Sequence, residues 1–271
     1  MLISHEVPIP MLKESRNFNQ YDYALLHLFD EQPEYLKFYQ ESSTMGRKVL
    51  LDNSAFELGD AMTSEKLMEG IEKCNPTWFV VPDALNNAEL TIQRWEEWQK
   101  ATGGKYKGAI GVVQGKTWED YKECYKYFSD KADKIALPMI VVGCFDGYTE
   151  GGPFDRWIGR THVIRELMRE GIWNFDKPHH LLGATNPIEF LDPIYKFKCF
   201  ESVDTSSPIM AAINGTSYGV MGLKEKPKGK LYEFINFDMP EGMKALAYKN
   251  ITMFKNFVNA TDYIIASNVP V

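Results

Sequence analysis

The sequence is poor in cysteine, and it contains neither a long apolar run nor an excess of positive charge. Its 4 cysteines form no Cys-x-x-Cys pair and no spacing typical of a disulfide framework, so we interpret them as reduced thiols of a cytosolic protein. The first residues, MLISHEVPIPMLKES, lack the basic segment and apolar run of a signal peptide. No stretch reaches the ~18 apolar residues that a membrane-spanning helix needs.

The formal net charge is -7 over 271 residues. This balance argues against binding to nucleic acid through bulk positive charge, although it leaves room for a local basic groove. Hydrophobic residues make up 44% and charged residues 25%, which is typical of a globular protein with a full core. Because no repeat, low-complexity tract or linker is visible, we expect residues 1–271 to form one domain.

A short apolar run, a polar turn and a helical pattern recur along the chain. Most of the apolar runs are continuous rather than alternating, as expected for parallel strands that are buried on both faces. The runs that we predict to be strands are 23–29, 48–52, 77–83, 108–114, 134–142, 179–184 and 199–204, with 216–221 as the best candidate for an eighth.

Helical patterns fill the gaps between these runs. Thr63 is a plausible N-cap residue and Gly103 a stop signal. Asn186 begins a helix that Pro193 is expected to shorten or kink. The predicted helices are 64–74, 88–100, 117–128, 156–170, one that starts at 186, and 241–259.

The alternation of strands and helices indicates the fold. It implies parallel strands joined by right-handed crossovers. Eight such units close into a single-domain (β/α)8 barrel, which commonly has ~250 residues and is the predicted fold. An open doubly wound sheet of the same alternating units is the alternative.

Polar residues stand at or just beyond the C-terminal ends of the predicted strands. In a barrel these ends converge on one mouth, where active sites are built. A single carboxylate in such a place is commonly a helix N-cap or a turn residue, whereas several at one rim indicate a site. The residues are Asp52, Asp83, Gln114, Gly143, Gly183 and Asp204.

Other signatures of chemistry are missing from the sequence. It has no glycine-rich phosphate loop and no G-x-S-x-G nucleophile motif. His179 and His180 are adjacent in a predicted strand, so they point to opposite faces and are not expected to form a metal site. We therefore expect neither a metal nor a nucleotide cofactor.

Five motifs occur in an order that resembles the tRNA-guanine transglycosylase superfamily. They are LLDNSAFE (50–57), VPD (81–83), GVVQG (111–115), HLLG (180–183) and SVDT (202–205). Each motif is weak alone, and the five in order are more specific. The resemblance implies a (β/α)8 barrel that exchanges guanine for a 7-deazaguanine, either on tRNA or, in phage and bacterial relatives, on DNA.

The resemblance also implies a role for each matched residue. Asp204 matches the nucleophile that attacks C1′ and holds the sugar covalently, and Asp52 matches the acid/base residue. Asp83 would accept hydrogen bonds from the N1–H and exocyclic amine of a guanine edge, and Gln114 would donate to O6. The remaining matches are Gly143 and Gly183 beside the base, and Phe56 and Leu182, which sandwich it or only pack in the core.

The chain departs from the tRNA enzymes in three places. It lacks their three-cysteine-plus-histidine zinc motif, Asp204 is followed by TSSPIMAAINGTSYG rather than an arginine-containing stretch, and Asn53-Ser54-Ala55 replaces Ser-Gly-Gly. These differences favour the compact phage-type DNA enzymes, which act in the host cytoplasm. We therefore expect DNA and a free 7-deazaguanine base as partners, with the target nucleotide flipped out or single-stranded.

Two segments are candidates for contacts with the nucleic acid. Segment 144–156, which is rich in glycine and aromatics, is either a mobile lid or an ordinary connection. Four lysines follow the last predicted strand and would bind phosphate, unless they form only a solvated loop. They are Lys224, Lys226, Lys228 and Lys230.

Three alternative functions are consistent with these patterns. The first is the same exchange on tRNA, and the second is a barrel that binds a purine or nucleic acid without turnover. The third is a metabolic barrel enzyme for a small substrate. The combination of Asp52, Asp83 and Asp204 speaks against the second, because binding alone needs no attacking carboxylate.

Overall fold

Eight parallel strands form a nearly closed barrel in a computed structural model of the chain, which describes residues 1–139 and 153–267, with backbone alone for 153–156 and 260–267. Their order around the sheet is β1-β8-β7-β6-β5-β4-β3-β2. Strands adjacent in sequence are therefore adjacent in space, so the predicted (β/α)8 barrel is confirmed and the open doubly wound sheet is wrong. The strands are β1 (Leu2–His5), β2 (Asp22–Leu25), β3 (Val49–Asp52), β4 (Trp78–Val80), β5 (Ala109–Val112), β6 (Lys134–Pro138), β7 (His179–Leu182) and β8 (Phe200–Thr205).

Helices alternate with the strands, as the sequence pattern predicts. The helix at 64–74 has the predicted bounds, and the Thr63 side chain caps it by accepting a hydrogen bond from the Lys66 N–H. The helix that begins at 88 ends at Gly103, whose φ of 58° lies in the left-handed region that favours glycine. The α-helices are α1 (Leu12–Ser15), α2 (Leu28–Glu31), α3 (Pro33–Thr44), α4 (Ala55–Leu58), α5 (Ser64–Cys74), α6 (Ala88–Thr102), α7 (Trp118–Lys131), α8 (Pro153–Arg169), α9 (Ser207–Ile213) and α10 (Glu241–Ser267).

The connection between β7 and β8 consists of two 3-10 helices, Pro187–Leu191 and Pro193–Lys196. The Asn186 side chain caps the first of them by accepting a hydrogen bond from the Ile188 N–H. A proline then begins the second helix after a break at Asp192. The prediction of a short or kinked helix here is confirmed.

The eighth strand is at the N-terminus and not at 216–221, so that part of the strand prediction is wrong. β1 pairs with β8 and places Ser4 opposite Asp204. In 216–221 the Tyr218 N–H is bound by the Asn250 side chain, and Gly219 forms an isolated antiparallel bridge. The apolar pattern does not indicate β1, because two of its four residues, Ser4 and His5, are polar yet buried.

Asn19 and Gln20 close the barrel between β1 and β2. Gln20 accepts a hydrogen bond from the Ile3 N–H through Oε1 at 2.9 Å, and its N–H donates to the Ile3 carbonyl at 3.0 Å. The Asn19 side chain accepts from the His5 N–H at 2.7 Å and donates to the His5 carbonyl at 2.9 Å. These four bonds replace a regular ladder and hold β1, with the Glu6 that follows it, at the mouth of the barrel.

Candidate active site

A cavity of about 370 Å³ opens at the carboxyl ends of the strands. It collects residues that lie far apart in the sequence, from Glu6 to Tyr232. The predicted site residues that line it are Asp52, Phe56, Asp83, Gln114, Leu182, Gly183 and Asp204. Gly143 lies outside the described residues, as do residues 144–152 of the proposed lid.

The four lysines divide into two pairs. Lys226 and Lys230 line the cavity, whereas Lys224 and Lys228 are exposed and not part of its described wall. Because 216–221 is a loop, these lysines do not follow a strand as predicted. Their segment nevertheless reaches the mouth of the barrel.

Asp204 lies in β8 and its side chain is buried. Its Oδ1 accepts hydrogen bonds from the Gly183 N–H at 2.9 Å and from His180 Nε2 at 3.0 Å. Two donors on one oxygen fix the orientation of the carboxylate and stabilise its negative charge. Among the described residues no donor reaches Oδ2, which leaves that oxygen available to attack an electrophile.

His180 is held between Asp204 and Ser202. The two β8 residues are two positions apart and so face the same side of the strand, and His180 is opposite Ser202 in the β7–β8 register. His180 Nδ1 lies 2.9 Å from Ser202 Oγ. Burial lowers the pKa of His180, so the ring is neutral, and both contacts are satisfied when Nε2 carries the proton and donates it to Asp204. The sequence pattern misses this role because the register is not visible in it.

Asp52 ends β3 and is buried, with its Oδ2 accepting a hydrogen bond from the Ser54 N–H at 2.8 Å. Ser54 has a φ of 65°, which is the left-handed conformation that glycine adopts most easily. This is a position at which the motif of the tRNA enzymes has glycine. Burial raises the pKa of Asp52, and the charge of Glu57 raises it further. Such a carboxyl is suited to hold a proton and to give it to a base.

Asp83 follows β4, and two amide side chains hold its carboxylate. Asn53 Nδ2 donates to Oδ1 and Gln114 Nε2 donates to Oδ2, both at 2.7 Å. Gln114 is itself fixed, because its Oε1 accepts a hydrogen bond from the Asn86 N–H at 2.9 Å. A carboxylate has about four acceptor positions, so two remain for adjacent donors on a purine edge. The second N–H of the Gln114 amide is left for a carbonyl oxygen.

Phe56 and Lys230 lie together at the mouth. The Phe56 ring is 42% exposed, and Lys230 Nζ is 5.0 Å from its centroid. The same ammonium donates to the carbonyls of Phe56 and Glu57 at 3.0 and 3.1 Å. An exposed ring beside a cation offers a face on which a base can stack. Leu182 is half-buried in another part of the cavity wall.

Two carboxyl groups that the sequence analysis did not single out also line the cavity, Glu6 and Glu57. Glu6 follows β1, and its N–H donates to the Thr205 carbonyl at 3.0 Å. Burial raises the pKa of Glu6 well above its usual range, and the charge of Asp204 adds to this. Burial also raises the pKa of Glu57 to about 7. Glu6 was missed because its strand was missed, whereas Glu57 stands inside the first motif without an assigned role.

A buried ion pair supports the wall of the cavity at β6 and β7. Arg160 donates through Nε and Nη2 to the two oxygens of Glu189, both at 2.7 Å, and both side chains are inaccessible to solvent. Arg160 Nη1 donates to the Gly183 carbonyl at 2.8 Å. The ion pair therefore anchors the residue whose N–H holds Asp204.

The fold and the site together define a (β/α)8 barrel in which five carboxyl side chains of the described residues surround one cavity. The chain is similar to a queuine tRNA-ribosyltransferase of Dichelobacter nodosus, with 22% identity over 220 residues, which cover 79% of this chain and 54% of that protein. It thus spans about half the length of the curated relative that it matches. This similarity confirms the resemblance to the tRNA-guanine transglycosylase superfamily, whereas the likeness to phage-type enzymes stays a prediction.

No protein-family model matches the chain. The structure of N-(5'-phosphoribosyl)anthranilate isomerase from Pyrococcus furiosus aligns over 94% of this chain and 97% of that one, with 13% identity and a TM-score of 0.42. A protein of Pseudomonas aeruginosa assigned as a dihydrodipicolinate synthetase aligns over 95% and 83%, with 12% identity and a TM-score of 0.46.

In the part of the chain that the structure describes, no helix is both long and apolar enough to cross a membrane. Within the same residues, no three side chains of His, Cys, Asp or Glu are placed where they could hold a metal ion.

Proposed function

We propose that the chain is a base-exchange transglycosylase that replaces guanine in DNA by a 7-deazaguanine derivative through a covalent aspartyl-sugar intermediate. The observation that carries this proposal is the way in which hydrogen bonds hold the Asp204 carboxylate. One of its oxygens is held by two donors while the other is unbound by the described residues, in the cavity that Asp52 and Asp83 also line.

In the first step Asp204 Oδ2 attacks C1′ of the target nucleotide. A C1′–O bond forms as the C1′–N9 bond breaks, the electron pair passes to guanine, and Asp52 gives its proton to the departing base. The raised pKa of Asp52, caused by burial and by Glu57, supports this role.

In the second step N9 of the entering base attacks C1′. Its N9 proton passes to Asp52, and the electron pair of the C1′–O bond returns to Asp204. Two inversions at C1′ retain the configuration, as in a retaining glycosidase. Protons and electron pairs balance within these two steps, so the exchange as written uses no cofactor.

Asp83 and Gln114 would recognise the base. The free acceptor positions of Asp83 suit the N1–H and exocyclic amine that guanine and 7-deazaguanine share, and the second N–H of Gln114 suits O6. Phe56 and Leu182 would cover the faces of the ring. Because the departing and entering bases share this edge, one pocket can serve both.

The choice of DNA rests on features near the site. The stretch after Asp204 lacks the arginine of the bacterial tRNA enzymes, and Asn53-Ser54-Ala55 crowds the turn beside the base. Burial of the carboxyls requires that the nucleotide be flipped out of a duplex or taken from a single strand. Lys226, Lys230 and the exposed Phe56 ring lie where the neighbouring phosphates and bases would pass.

Exchange on tRNA is the second candidate, and the similarity to a queuine tRNA-ribosyltransferase favours it. One experiment separates the two. The protein is incubated with DNA or tRNA and with isotopically labelled guanine or a 7-deazaguanine base, and the nucleosides are then analysed by mass spectrometry. Incorporation into DNA supports the proposal, incorporation into tRNA alone supports the second candidate, and incorporation into neither contradicts both. Asp204→Asn serves as the inactive variant and Asp176→Asn, at an exposed position, as its matched control.

A further inference from the structure

Glu57 stands on α4, directly after the turn that orients Asp52. The turn is fixed by two local hydrogen bonds, from the Ser54 N–H to Asp52 and from the Ala55 N–H to Asn53. Asp52 and Glu57 line the same cavity. The turn and the short helix therefore bring a second carboxyl to the one that would exchange protons with the base.

One oxygen of the Glu57 carboxyl has no hydrogen-bond partner among the described residues. This oxygen, Oε2, is buried. Lys226 and Lys230 are the cations of the described cavity wall, and the Lys230 ammonium donates to the carbonyls of Phe56 and Glu57. A carboxylate in such a place acts on its neighbours through its charge, because neither water nor a donor screens this oxygen.

Groups from several elements face Glu57 across the cavity. Carboxyls come from β3, β8 and the residues after β1 and β4, phenols from β2 and the segment at 232, and cations from the lysine segment. The titratable and charged side chains of the described wall are Glu6, Tyr23, Asp52, Asp83, Asp204, Lys226, Lys230 and Tyr232. Acidic groups outnumber the cations, so they cannot all be ionised without strong mutual repulsion.

Asp204 and Asp52 differ in how they are held. Asp204 Oδ1 receives two donors, one of them an imidazole, whereas Asp52 receives one backbone N–H. We propose that Glu57 is a positioning residue for the exchange, whose negative charge keeps a proton on Asp52 while Asp204 stays the charged nucleophile. This inference rests on the proposed function and explains how two aspartates of one cavity take opposite roles.

The titration of the two groups supports this division. After burial, Glu57 is the largest cause of the raised pKa of Asp52. Burial raises the pKa of Glu57 to about 7 and the charge of Asp204 adds to this, whereas a hydrogen bond from the Glu57 backbone and the charge of Lys230 lower it. Removing the charge of Glu57 therefore lowers the pKa of Asp52, so that Asp52 loses its proton at a lower pH than before.

The test is the pH profile of kcat/KM for the nucleic acid in Glu57→Gln, because this ratio reports the first step, in which Asp52 gives its proton to the departing base. The alkaline limb, where Asp52 loses its proton, is expected to move down by about 1 pH unit. Activity would then fall about tenfold above the limb and be largely retained at low pH. Glu57→Asp, which keeps the charge, should restore much of the wild-type profile.

Glu34→Gln, at an exposed position of α3, is the matched control and should leave the profile unchanged. Circular dichroism checks folding, and Glu57→Ser is a second neutral variant should Glu57→Gln fail to fold. The inference is overturned if the wild type exchanges bases but Glu57→Gln loses the same factor of kcat/KM at every pH, or keeps its alkaline limb at the wild-type pH. If the wild type exchanges bases on neither DNA nor tRNA, the proposed function itself is contradicted.

Discussion

His180 Nε2 lies 3.0 Å from Asp204 Oδ1, and His180 Nδ1 lies 2.9 Å from Ser202 Oγ. The neutral imidazole thus connects a hydroxyl to the carboxylate that would attack the sugar. Because His180 occupies Oδ1 together with the Gly183 N–H, it determines which oxygen faces the substrate.

The first prediction concerns His180→Phe, which keeps a ring but removes the donor. We expect kcat for exchange to fall by up to about 100-fold, because the attacking carboxylate loses its fixed orientation. KM for the base should change little, since Asp83 and Gln114 are untouched. Steady-state kinetics measures both values. An unchanged kcat in a folded variant would show that Gly183 alone positions Asp204.

The second prediction concerns base recognition by Asp83. Asp83→Ala removes the carboxylate that would accept hydrogen bonds from the purine edge. It also removes the carboxylate to which the side-chain amides of Asn53 and Gln114 donate. We expect KM for the free base to rise by about 10- to 100-fold, the usual cost of losing hydrogen bonds to a charged group. Asp176→Asn should have no effect. A loss confined to affinity for nucleic acid would contradict the assigned role.

The lysine segment gives a third prediction. Lys226→Met should weaken binding of nucleic acid of any sequence and reduce the salt dependence of log K by about one phosphate contact. Lys224→Met and Lys228→Met should have smaller effects, because these side chains lie outside the cavity wall. Fluorescence anisotropy at several salt concentrations measures the slopes. Lys37→Met, exposed on α3, is the control, and equal slopes for it and Lys226→Met would refute the assignment.

The buried Arg160–Glu189 pair gives a prediction of stability. Arg160→Met leaves the Glu189 carboxylate buried without its partner, so the free energy of unfolding should fall by about 3–5 kcal/mol. Arg160→Met combined with Glu189→Leu should be less damaging than the single change, because no uncompensated charge remains. Urea denaturation followed by circular dichroism compares the variants. A double variant less stable than Arg160→Met would contradict this and mean that Glu189 stabilises the fold without Arg160, through the hydrogen bond that it accepts from the Tyr195 hydroxyl.

Continuous apolar runs made most of the barrel predictable. β3, β4 and β5 are buried on both faces, so each appears as an apolar run with a polar residue near its end. β1 could not be found in this way, since Ser4 and His5 are buried polar residues whose place depends on pairing with β8 and on Asn19. Most strands of the barrel were therefore predictable from local pattern, whereas the strand that pairs with β8 and closes the barrel was not.

The same distinction applies to the site. Asp52, Asp83 and Asp204 were predictable because each stands where a strand ends. Glu6 and His180 were not, because their positions follow from the β1–β8 and β7–β8 registers. Long-range pairing of this kind leaves no periodic signal in a single sequence.

The most direct test of the account is the mass of the protein after reaction with a guanine-containing oligonucleotide, denaturation and protease digestion. The account predicts a denaturation-resistant adduct in which a peptide containing Asp204 carries the sugar, and its absence in Asp204→Asn. An adduct on another carboxyl, or rapid base exchange by Asp204→Asn, would contradict it.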